Sequence, residues 1–564
     1  MKKGAYREIT LPAVILGLLL GLMMNASFTY SGLVIGFTIP GSMVAAIIGW
    51  GVLRGIMGSG TITENNINQT IASGLTITSA GMIFTVPVLF LMDISHSTLQ
   101  IILAGIAGVF LGVVIIVPLR TQMIDIDRLK FPSGTAVAAI IKSPASGTSK
   151  SLLLLAGLCI GVSIGLLTQL SVIGGENLIP DTVNPGIVLG LPPYVSTTVA
   201  VSMFSLGAGY LTGKNGLIVL LGGMLAYWIL PPILLSVGWL PVGLGVEEIL
   251  PFLQREVNRP IGVGMLLGGA LTGVVLAFPS LGIAFSRLLK KKITDRTDEV
   301  SLRFLSYVFL VAFALLYLIV GSISELSWGH SFLITVVGMV WIIASGLIVS
   351  ESTGLTNWSP ISGMALVCVT IILLLSRGSV LVAITIGTAA CVAASQCVDI
   401  MHDLKTGHLV GSRPRSQILS QLIFSWLGPA VSLMVIILLW KAYGLGEGSH
   451  ITAPQAQAMR AAVEGILGGN IPYSKYVSGI ILGSVLSLTG LKSLGVLMGL
   501  AMYLPFAFIL PYGIGCIVNI GTQRALGSQW NEEKGIPFAA GILLGDALIT
   551  LFLALIMVFG SRPG

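Results

Sequence analysis

The sequence predicts an all-α fold, a polytopic transmembrane helical bundle of about 14–16 spans, and three observations support this prediction. Of the 564 residues, 55% are hydrophobic and only 9% are charged, whereas soluble domains carry roughly 25% charged residues. The mean hydropathy is +0.98. Apolar runs of about 20 residues, enough to cross a hydrocarbon core of roughly 30 Å, follow one another from Leu11 to Phe559. No soluble domain fits between them, so the whole chain is predicted to be the membrane domain.

The apolar runs predict transmembrane helices in chain order. In the first half they lie near 10–30, 34–54, 67–92, 99–118, 151–173, 186–210, 216–238 and 260–285, and in the second half near 303–323, 331–350, 361–376, 379–400, 416–441, 475–490, 494–518 and 537–560. The remaining segment, 131–148, is short and rich in small residues. We expect a re-entrant hairpin there, since such backbone survives in a membrane only where protein or a water-filled cavity covers it.

The charges of the loops predict the orientation. Lys and Arg concentrate on the cytoplasmic side of a membrane, and the loops 286–302 and 401–415 are both basic. We therefore expect both loops and both termini to be cytoplasmic, in a multi-pass protein of the cell inner (plasma) membrane. The linker 286–302 then separates an N-terminal repeat, 1–285, from a C-terminal repeat, 303–564. Each half crosses an even number of times, which predicts parallel rather than inverted halves.

A polar segment occurs twice, at 61–74 and at 351–363, and each copy contains one acid, Glu64 or Glu351. Polar groups are costly at the edge of a bilayer core, so matched copies favour a transport pathway. A carboxylate there can take up and release a proton as a cavity opens to alternate sides, which makes Glu64 and Glu351 candidates for proton coupling. The alternative is that each acid caps a helix N-terminus.

Amides and hydroxyls in the same segments are candidates for substrate binding. On a helix, Asn65, Asn66 and Gln69 share one face, Thr70 follows them, and Asn357 offers the same chemistry in the second copy. Such groups suit peptide amides and carboxylates. Hydrogen bonding between helices, which would fix a broken helix, is an equally strong alternative.

The densest polar cluster begins at Asp399, which is a further candidate for proton coupling. Asp399 and Asp403 stack at i,i+4 spacing, but a cytoplasmic loop in which both acids pair with Lys or Arg is the favoured interpretation. Cys397, Asp399 and His402 make only a weak metal site, because metal ligands usually have a tighter spacing. No metal site is therefore predicted.

Four polar residues elsewhere complete the candidates. Asp546 lies in an apolar run after the pair Gly541 and Gly545, and it is assigned either to proton coupling or to a local hydrogen-bonded lock. The remaining substrate-binding candidates are Ser133, Tyr503 and Asn519. The small-residue pairs, such as those at 541 and 545, are expected to bring helices close together.

Several classes of protein are excluded. The net charge is +7, but the basic residues lie in short loops rather than on one face, which argues against nucleic-acid binding. No phosphate-binding loop occurs, and neither do the His-Glu-x-x-His or Gly-x-Ser-x-Gly motifs of hydrolases. The five cysteines lie scattered in apolar segments, so no disulfide is predicted. The chain is predicted to be a carrier, not an enzyme, and to need no cofactor.

The polar segments, taken in order, resemble those of the oligopeptide transporter family, specifically its prokaryotic branch related to the yellow stripe-like transporters. The matching pieces are Glu64-Asn65-Asn66 with Gln69-Thr70, Leu129-Lys130-Phe131-Pro132-Ser133-Gly134-Thr135-Ala136, Thr356-Asn357-Trp358-Ser359-Pro360, Asp403-Leu404-Lys405-Thr406-Gly407 with Pro414-Arg415, and Met502-Tyr503-Leu504-Pro505. The resemblance implies a secondary carrier, driven by a proton gradient, that imports small peptides or metal complexes of peptide-like chelators.

Two other functions compete with this hypothesis. One is a carrier of metal ions or metal-siderophore complexes, in which Cys397, Met401 or His402 would touch the cargo. The other is an intramembrane hydrolase that uses His402 with Asp399 and Asp403. The expected partners are a peptide or small-molecule substrate, protons and the lipid bilayer, without nucleic acid, and a homo-oligomer is left open.

Overall fold

The computed structural model describes residues 8–36, 41–58, 60–142, 147–169, 179–186, 190–238, 240–241, 245, 248–279, 300–356, 359–446, 448–449, 451–468, 472–489 and 493–560. The helices of the first half are α1 (Leu11–Ile35), α2 (Gly41–Gly49), α3 (Ile62–Thr76), α4 (Thr78–Thr85), α5 (Pro87–Leu91), α6 (Thr98–Ile116), α7 (Pro132–Ile141), α8 (Gly147–Gln169), α9 (Met203–Thr212), α10 (Leu217–Met224), α11 (Leu230–Ser236), α12 (Ile249–Leu253) and α13 (Arg259–Ala277). Two short strands, β1 (Thr182–Val183) and β2 (Val199–Ala200), pair antiparallel.

The rest of the chain is also helical. Its helices are α14 (Leu302–Ile323), α15 (Trp328–Thr356), α16 (Ile361–Leu375), α17 (Val380–Val410), α18 (Pro414–Phe424), α19 (Leu427–Tyr443), α20 (Pro454–Ile466), α21 (Tyr473–Ser487), α22 (Leu494–Tyr503), α23 (Phe506–Leu526), α24 (Ser528–Trp530) and α25 (Ile536–Gly560). The π-helical turns Trp50–Ile56, Thr121–Ile126, Leu225–Ile229, Gln254–Asn258 and Asn531–Gly535 extend or join several of these helices.

The structure confirms the predicted all-α membrane fold. Twelve helices among the described residues are long and apolar enough to cross a membrane, and four shorter apolar helices accompany them: Gly41–Ile56, Pro132–Ile141, Ile361–Leu375 and Leu494–Tyr503. The predicted 14–16 spans count some of these shorter helices as crossings. The division of the chain at 286–302 stays a prediction, because 280–299 lie outside the described residues.

Helix α17 is the centre of the bundle. Its residues 382–401 are all buried, and it packs against α3, α4, α5, α6, α7, α14, α15, α16 and α18. Two glycines of α6 permit its close contact with α17, because a Cβ on Gly108 or Gly112 would lie 2.5 or 2.6 Å from a backbone oxygen of α17. The expectation that small-residue pairs bring helices together is confirmed here.

Glycines also allow close packing of α8 against α25. A Cβ on Gly161 would lie 2.3 Å from the carbonyl oxygen of Ile542, and one on Gly545 would lie 2.3 Å from that of Leu158. Any larger residue would push the two backbones apart. The glycines in these spans therefore serve close packing.

Three predicted segments were wrong, each for an identifiable reason. The run 186–210 was predicted as one helix, but its described part contains β2 and helix α9 begins only at Met203, after the breaker Pro192-Pro193. The run 494–518 is divided at Pro505, where α22 ends and α23 begins. The loop predicted at 401–415 is largely helix, because α17 continues to Val410 and ends at Gly411 in the left-handed conformation that favours glycine.

Candidate functional site

A cavity of about 200 Å³ lies between α2, α3, α7, α15, α16 and α17. Its wall combines apolar side chains with carboxyl and hydroxyl groups. The lining residues are Gly41, Ser42, Met43, Ser73, Thr76, Ile77, Ser133, Gly134, Val137, Thr353, Ser359, Ile361, Val398, Asp399, His402, Asp403 and Thr406. Two carboxyl groups and several hydroxyls therefore face one enclosed space inside a membrane protein, which makes it the candidate site.

Asp399 and Asp403 form the acidic wall of the cavity. They lie one turn apart on α17, and their exposed fractions are 6% and 1%. The side-chain amide of Gln421 donates to Oδ2 of both, at 3.0 Å to Asp399 and 2.8 Å to Asp403. The amide of Gln69 donates to Oδ1 of Asp403 at 3.1 Å. Neutral amides thus hold two acids side by side, and no Lys or Arg among the described residues pairs with either, so the predicted ion pairs were wrong.

The hydroxyl of Ser73 bridges the two acids. Its oxygen lies 2.8 Å from Oδ2 of Asp403 and 3.2 Å from Oδ2 of Asp399. A hydroxyl has one proton to donate but two lone pairs that accept. Both contacts are satisfied at once if Ser73 donates to one carboxylate and accepts from a protonated carboxyl on the other. Since two like charges this close in a low-dielectric site repel strongly, the geometry suits a pair that holds one proton.

Three helices supply this network through pairs of polar residues at the same spacing. Gln69 and Ser73 lie on α3, Asp399 and Asp403 on α17, and Gln417 and Gln421 on α18, each pair four residues apart. Such pairs occupy one helix face. Gln417 completes the network by donating to the backbone oxygen of Asp403 at 2.7 Å and to the hydroxyl of Thr70 at 3.2 Å.

The short helix α7 lines the cavity and packs against α17 beside the acids. The backbone N–H of Gly134 donates to Nδ1 of His402 at 3.1 Å, and the hydroxyl of Thr406 donates to the backbone oxygen of Gly134 at 2.8 Å. Because Nδ1 accepts, the proton of a neutral His402 ring is on Nε2. The residue before α7, Phe131, has the left-handed φ of 41° and donates its N–H to the backbone oxygen of Gly354 at 3.1 Å.

Both copies of the duplicated polar segment reach the cavity. The first contributes Ser73, and the second contributes Thr353 and Ser359, whose hydroxyl oxygens lie 2.7 Å apart. Their local structures differ, since the first copy begins helix α3 whereas the second spans the end of α15 and the start of α16. Residues of both copies therefore line one cavity, and neither Glu64 nor Glu351 is among them.

The two acids of the copies have different surroundings. Glu64 accepts from the N–H of Thr61 at 2.9 Å, and the Thr61 hydroxyl accepts from the N–H of Glu64 at 3.2 Å. This is a capping box at the start of α3, so the capping alternative is confirmed for Glu64. Glu351 is fully buried near the end of α15, far along the chain from the N-terminus of its own helix. Neither acid lines the cavity as described.

The amides of α3 divide between two neighbours instead of sharing one face. Asn65 donates to the carbonyl oxygen of Ala46 at 2.9 Å, and Asn68 donates to that of Ala45 at 3.0 Å, which fixes α3 against α2. Asn66 and Gln69 are joined at 3.3 Å on the side of α17. The prediction that Asn65 and Gln69 present one binding face was wrong. Although they lie at i,i+4 positions, the side chain of Asn65 bonds to α2 and that of Gln69 bonds to Asp403 of α17.

Three other candidates lie apart from the cavity. Asp546 accepts from the backbone N–H of Phe204 at 2.6 Å, which anchors the start of α9 to α25. The hydroxyl of Tyr503 donates to the carbonyl oxygen of Thr452 at 3.0 Å. Asn519 is buried on α23 beside Gly213. Ser133 does line the cavity, and Asn357 lies outside the described residues.

The residues suggested as a metal site are not brought together. The thiol of Cys397 donates to the carbonyl oxygen of Gly112 at 3.1 Å, toward α6 and away from the acids. In the part of the chain that the structure describes, no three His, Cys, Asp or Glu side chains cluster as metal ligands. The cavity thus presents an acidic pair and hydroxyl groups that can bind cargo or a proton.

A multi-pass helical bundle that encloses a small, acidic and hydroxyl-lined cavity is the architecture of a membrane transporter. A family model described as OPT oligopeptide transporter protein matches residues 8–557. The chain therefore belongs to the oligopeptide transporter family.

Individual relatives agree with this assignment. A Haemophilus influenzae protein, provisionally named an oligopeptide transporter, is 28% identical over 95% of this chain and 93% of its own length. Two metal-nicotianamine transporters of Arabidopsis thaliana are 24% and 26% identical, each over 80% of this chain and 73% of their own length. The resemblance found in the sequence is confirmed.

Proposed function

We propose that the protein is a secondary active transporter that imports small oligopeptides or peptide-like metal chelates together with protons, by alternating access. The observation that carries this proposal is the pair Asp399 and Asp403, buried at one wall of the cavity and bridged by Ser73. A pair that holds one proton can release it when the cavity opens to the less acidic side and regain it on the other.

The wall of the cavity supports a peptide-like cargo. The acidic pair suits a cargo ammonium group, and the hydroxyls of Ser42, Thr76 and Thr353 suit amide and carboxylate groups. The volume of about 200 Å³ is smaller than the roughly 300–1,000 Å³ of most ligand pockets. In this conformation the cavity fits one end of a peptide, so longer cargo requires it to open.

The names of the relatives keep both cargo classes in the proposal. The Haemophilus influenzae relative is named for oligopeptides, and the Arabidopsis thaliana relatives are named for metal-nicotianamine. For a metal complex, the acidic wall would face the cationic part of the complex. We place the protein in the cell inner membrane with both termini cytoplasmic, because the basic loop residues lie on one side of the predicted topology.

The decisive experiment measures peptide accumulation in proteoliposomes under an imposed pH gradient. One pH unit can sustain an accumulation of at most about tenfold for each coupled proton, because tenfold corresponds to about 1.4 kcal/mol. We expect the double variant Asp399→Asn/Asp403→Asn to lose this accumulation and to retain exchange of labelled for unlabelled peptide, because the amides cannot exchange a proton. Accumulation at the wild-type level in the double variant would overturn the proposal.

The matched control is Asp127→Asn, which neutralises an exposed carboxylate outside the cavity. It should accumulate peptide as the wild type does. If the double variant also loses exchange, Asp403→Glu decides the matter: restored accumulation with a carboxyl group of different length supports proton coupling, and loss in that variant as well contradicts it. A parallel assay with iron chelates in place of peptides distinguishes the two cargo classes.

A further inference from the structure

A long apolar groove opens on the outside of the bundle between α1, α19 and α25. Its volume is about 1040 Å³, and its walls include Met434 of α19 and Phe552 and Phe559 of α25, which are 63%, 56% and 61% exposed. Exposed apolar side chains are ordinary where lipid covers a membrane protein. A deep groove is different, because its walls can hold one chain more closely than a flat face.

The length of the groove matches one leaflet of a bilayer. Along α19 its lining runs from Val431 to Lys441, ten residues later, which is about 15 Å at 1.5 Å per residue. Half of a hydrocarbon core of roughly 30 Å is the same length. The length of the groove therefore fits one lipid acyl chain that enters from one membrane surface.

The polar end of the groove carries a single cation. Lys441 is the one charged residue in the described lining, and it also lines an adjoining polar pocket of about 440 Å³ with Asp93, Ser95, His96 and Thr98. Trp440 borders that pocket as well, and tryptophan is typical of the level of lipid head groups. The apolar groove thus leads directly into a polar pocket at the membrane surface.

The charges in this pocket are of opposite sign and are not paired with each other. Lys441 and Asp93 line the same pocket, yet neither forms an ion pair with any residue that the structure describes. The pocket is held in shape by aromatic contacts, since the ring of Phe90 lies 4.9 Å from those of both His96 and Trp440. A cation and an anion held apart are complementary to a zwitterion.

We propose that this groove and pocket together bind an amine-bearing phospholipid, with one acyl chain in the groove, the phosphate on Lys441 and the ammonium on Asp93. Phosphatidylethanolamine has this chemistry. A choline head group carries no N–H to donate to Asp93, and a glycerol head group lacks the cation altogether. The site is separate from the transport cavity, and it predicts selectivity by head group rather than general affinity for lipid.

Native mass spectrometry of the purified protein tests this proposal with phosphatidylethanolamine, phosphatidylcholine and phosphatidylglycerol of matched chains. The wild type should retain phosphatidylethanolamine several-fold better than the other two. Lys441→Gln should lower the retention of all three lipids, because all three carry the phosphate, and Asp93→Asn should abolish the preference for phosphatidylethanolamine. The control Lys214→Gln, which neutralises an exposed lysine elsewhere, should change nothing. Equal retention of all three lipids by the wild type would refute the proposal.

Occupation of the groove itself is tested by filling it. Met434→Trp should lower the retention of phosphatidylethanolamine several-fold, whereas Ile481→Trp, at an equally exposed position of α21 (59%), should not. Soluble glycerophosphoethanolamine should fail to displace the lipid, because it lacks the acyl chain; displacement by it would contradict a role for the groove. A protein dimer that Met434→Trp dissociates would assign the groove to a second copy and overturn the lipid site.

Discussion

One hydroxyl group, that of Ser73, stands between two buried acids, and its position explains how they are tolerated. A buried carboxylate without partners would cost several kcal/mol, but Asp403 accepts from Ser73, Gln69 and Gln421. These donors are neutral, so they satisfy hydrogen bonds without cancelling charge. The site therefore remains responsive to a proton, which an ion pair with Arg or Lys would prevent.

Substitution of Glu64 separates its capping role from proton coupling. Glutamine also completes a capping box, so we expect Glu64→Gln to keep both thermal stability and accumulation driven by a pH gradient. Glu64→Ala removes the acceptor of the Thr61 N–H and should cost on the order of 1 kcal/mol of stability. Thermal unfolding in detergent and proteoliposome uptake measure the two effects. Loss of accumulation in Glu64→Gln with unchanged unfolding would restore Glu64 as a coupling residue.

The sequence predicted only part of the cavity lining: Asp399 and Ser133 line it, whereas Glu64, Glu351, Asp546, Tyr503 and Asn519 do not. Asp399 and Asp403 were recognised as an i,i+4 pair, but their polarity was interpreted as a cytoplasmic loop. Hydropathy alone cannot distinguish a polar helix face turned to water from one turned to other polar helices. The matching pairs Gln69 with Ser73 and Gln417 with Gln421 were the missing signal, since polar pairs of equal spacing on separate helices satisfy one another inside a bundle.

At the scale of elements, the position of α7 against α17 decides the shape of the cavity. The helix is only ten residues long, begins with Pro132, whose missing N–H costs nothing at that position, and touches α17 through Gly134. The sequence predicted an unusual short segment here from its length and small residues, but not which helix it would contact. That contact depends on tertiary packing, which a single sequence does not display.

Gly134 should tolerate no side chain. A Cβ there would lie 2.4 Å from the backbone oxygen of His402, and backbone cannot yield as a flexible side chain can. We expect Gly134→Ala to cost about 1–3 kcal/mol through overpacking and to reduce transport, as measured by thermal unfolding and uptake.

Gly521→Ala is the matched control for this substitution. Gly521 lies within α23, and a Cβ there would meet nothing within 4 Å, so alanine should be neutral or stabilising by up to about 1 kcal/mol. If Gly134→Ala unfolds and transports as the Gly521 variant does, the close contact between α7 and α17 is not as described.

At the scale of the whole molecule, the predicted orientation places the turn after α17 in the cytoplasm and the turn after α5 outside. Arg415 and Ser95 are exposed at these two places. In intact cells, a membrane-impermeant maleimide should label Ser95→Cys and should leave Arg415→Cys unlabelled until the membrane is opened. The parent should carry Cys159→Ser, because Cys159 is exposed whereas the other four cysteines are buried.

Labelling of Arg415→Cys from outside, with Ser95→Cys protected, would show that the molecule has the opposite orientation in the membrane. The direction of proton movement through the cavity would then be reversed in the proposed mechanism. Labelling of both positions from outside would show that the number of crossings between them is even, which would contradict the helices assigned between the two turns.

The burial of α17 also sets limits on redesign. Its acids belong to a helix that nine others contact, so a new side chain there has no space. A protein engineer who wished to change the cargo would gain little from substitutions in this helix. Three hydroxyl-bearing positions of the cavity wall offer more choice, since Ser42, Ser133 and Thr353 come from three different helices and face the same space. Under the proposed function, cargo selectivity can thus diversify at these positions while the acidic pair stays as it is.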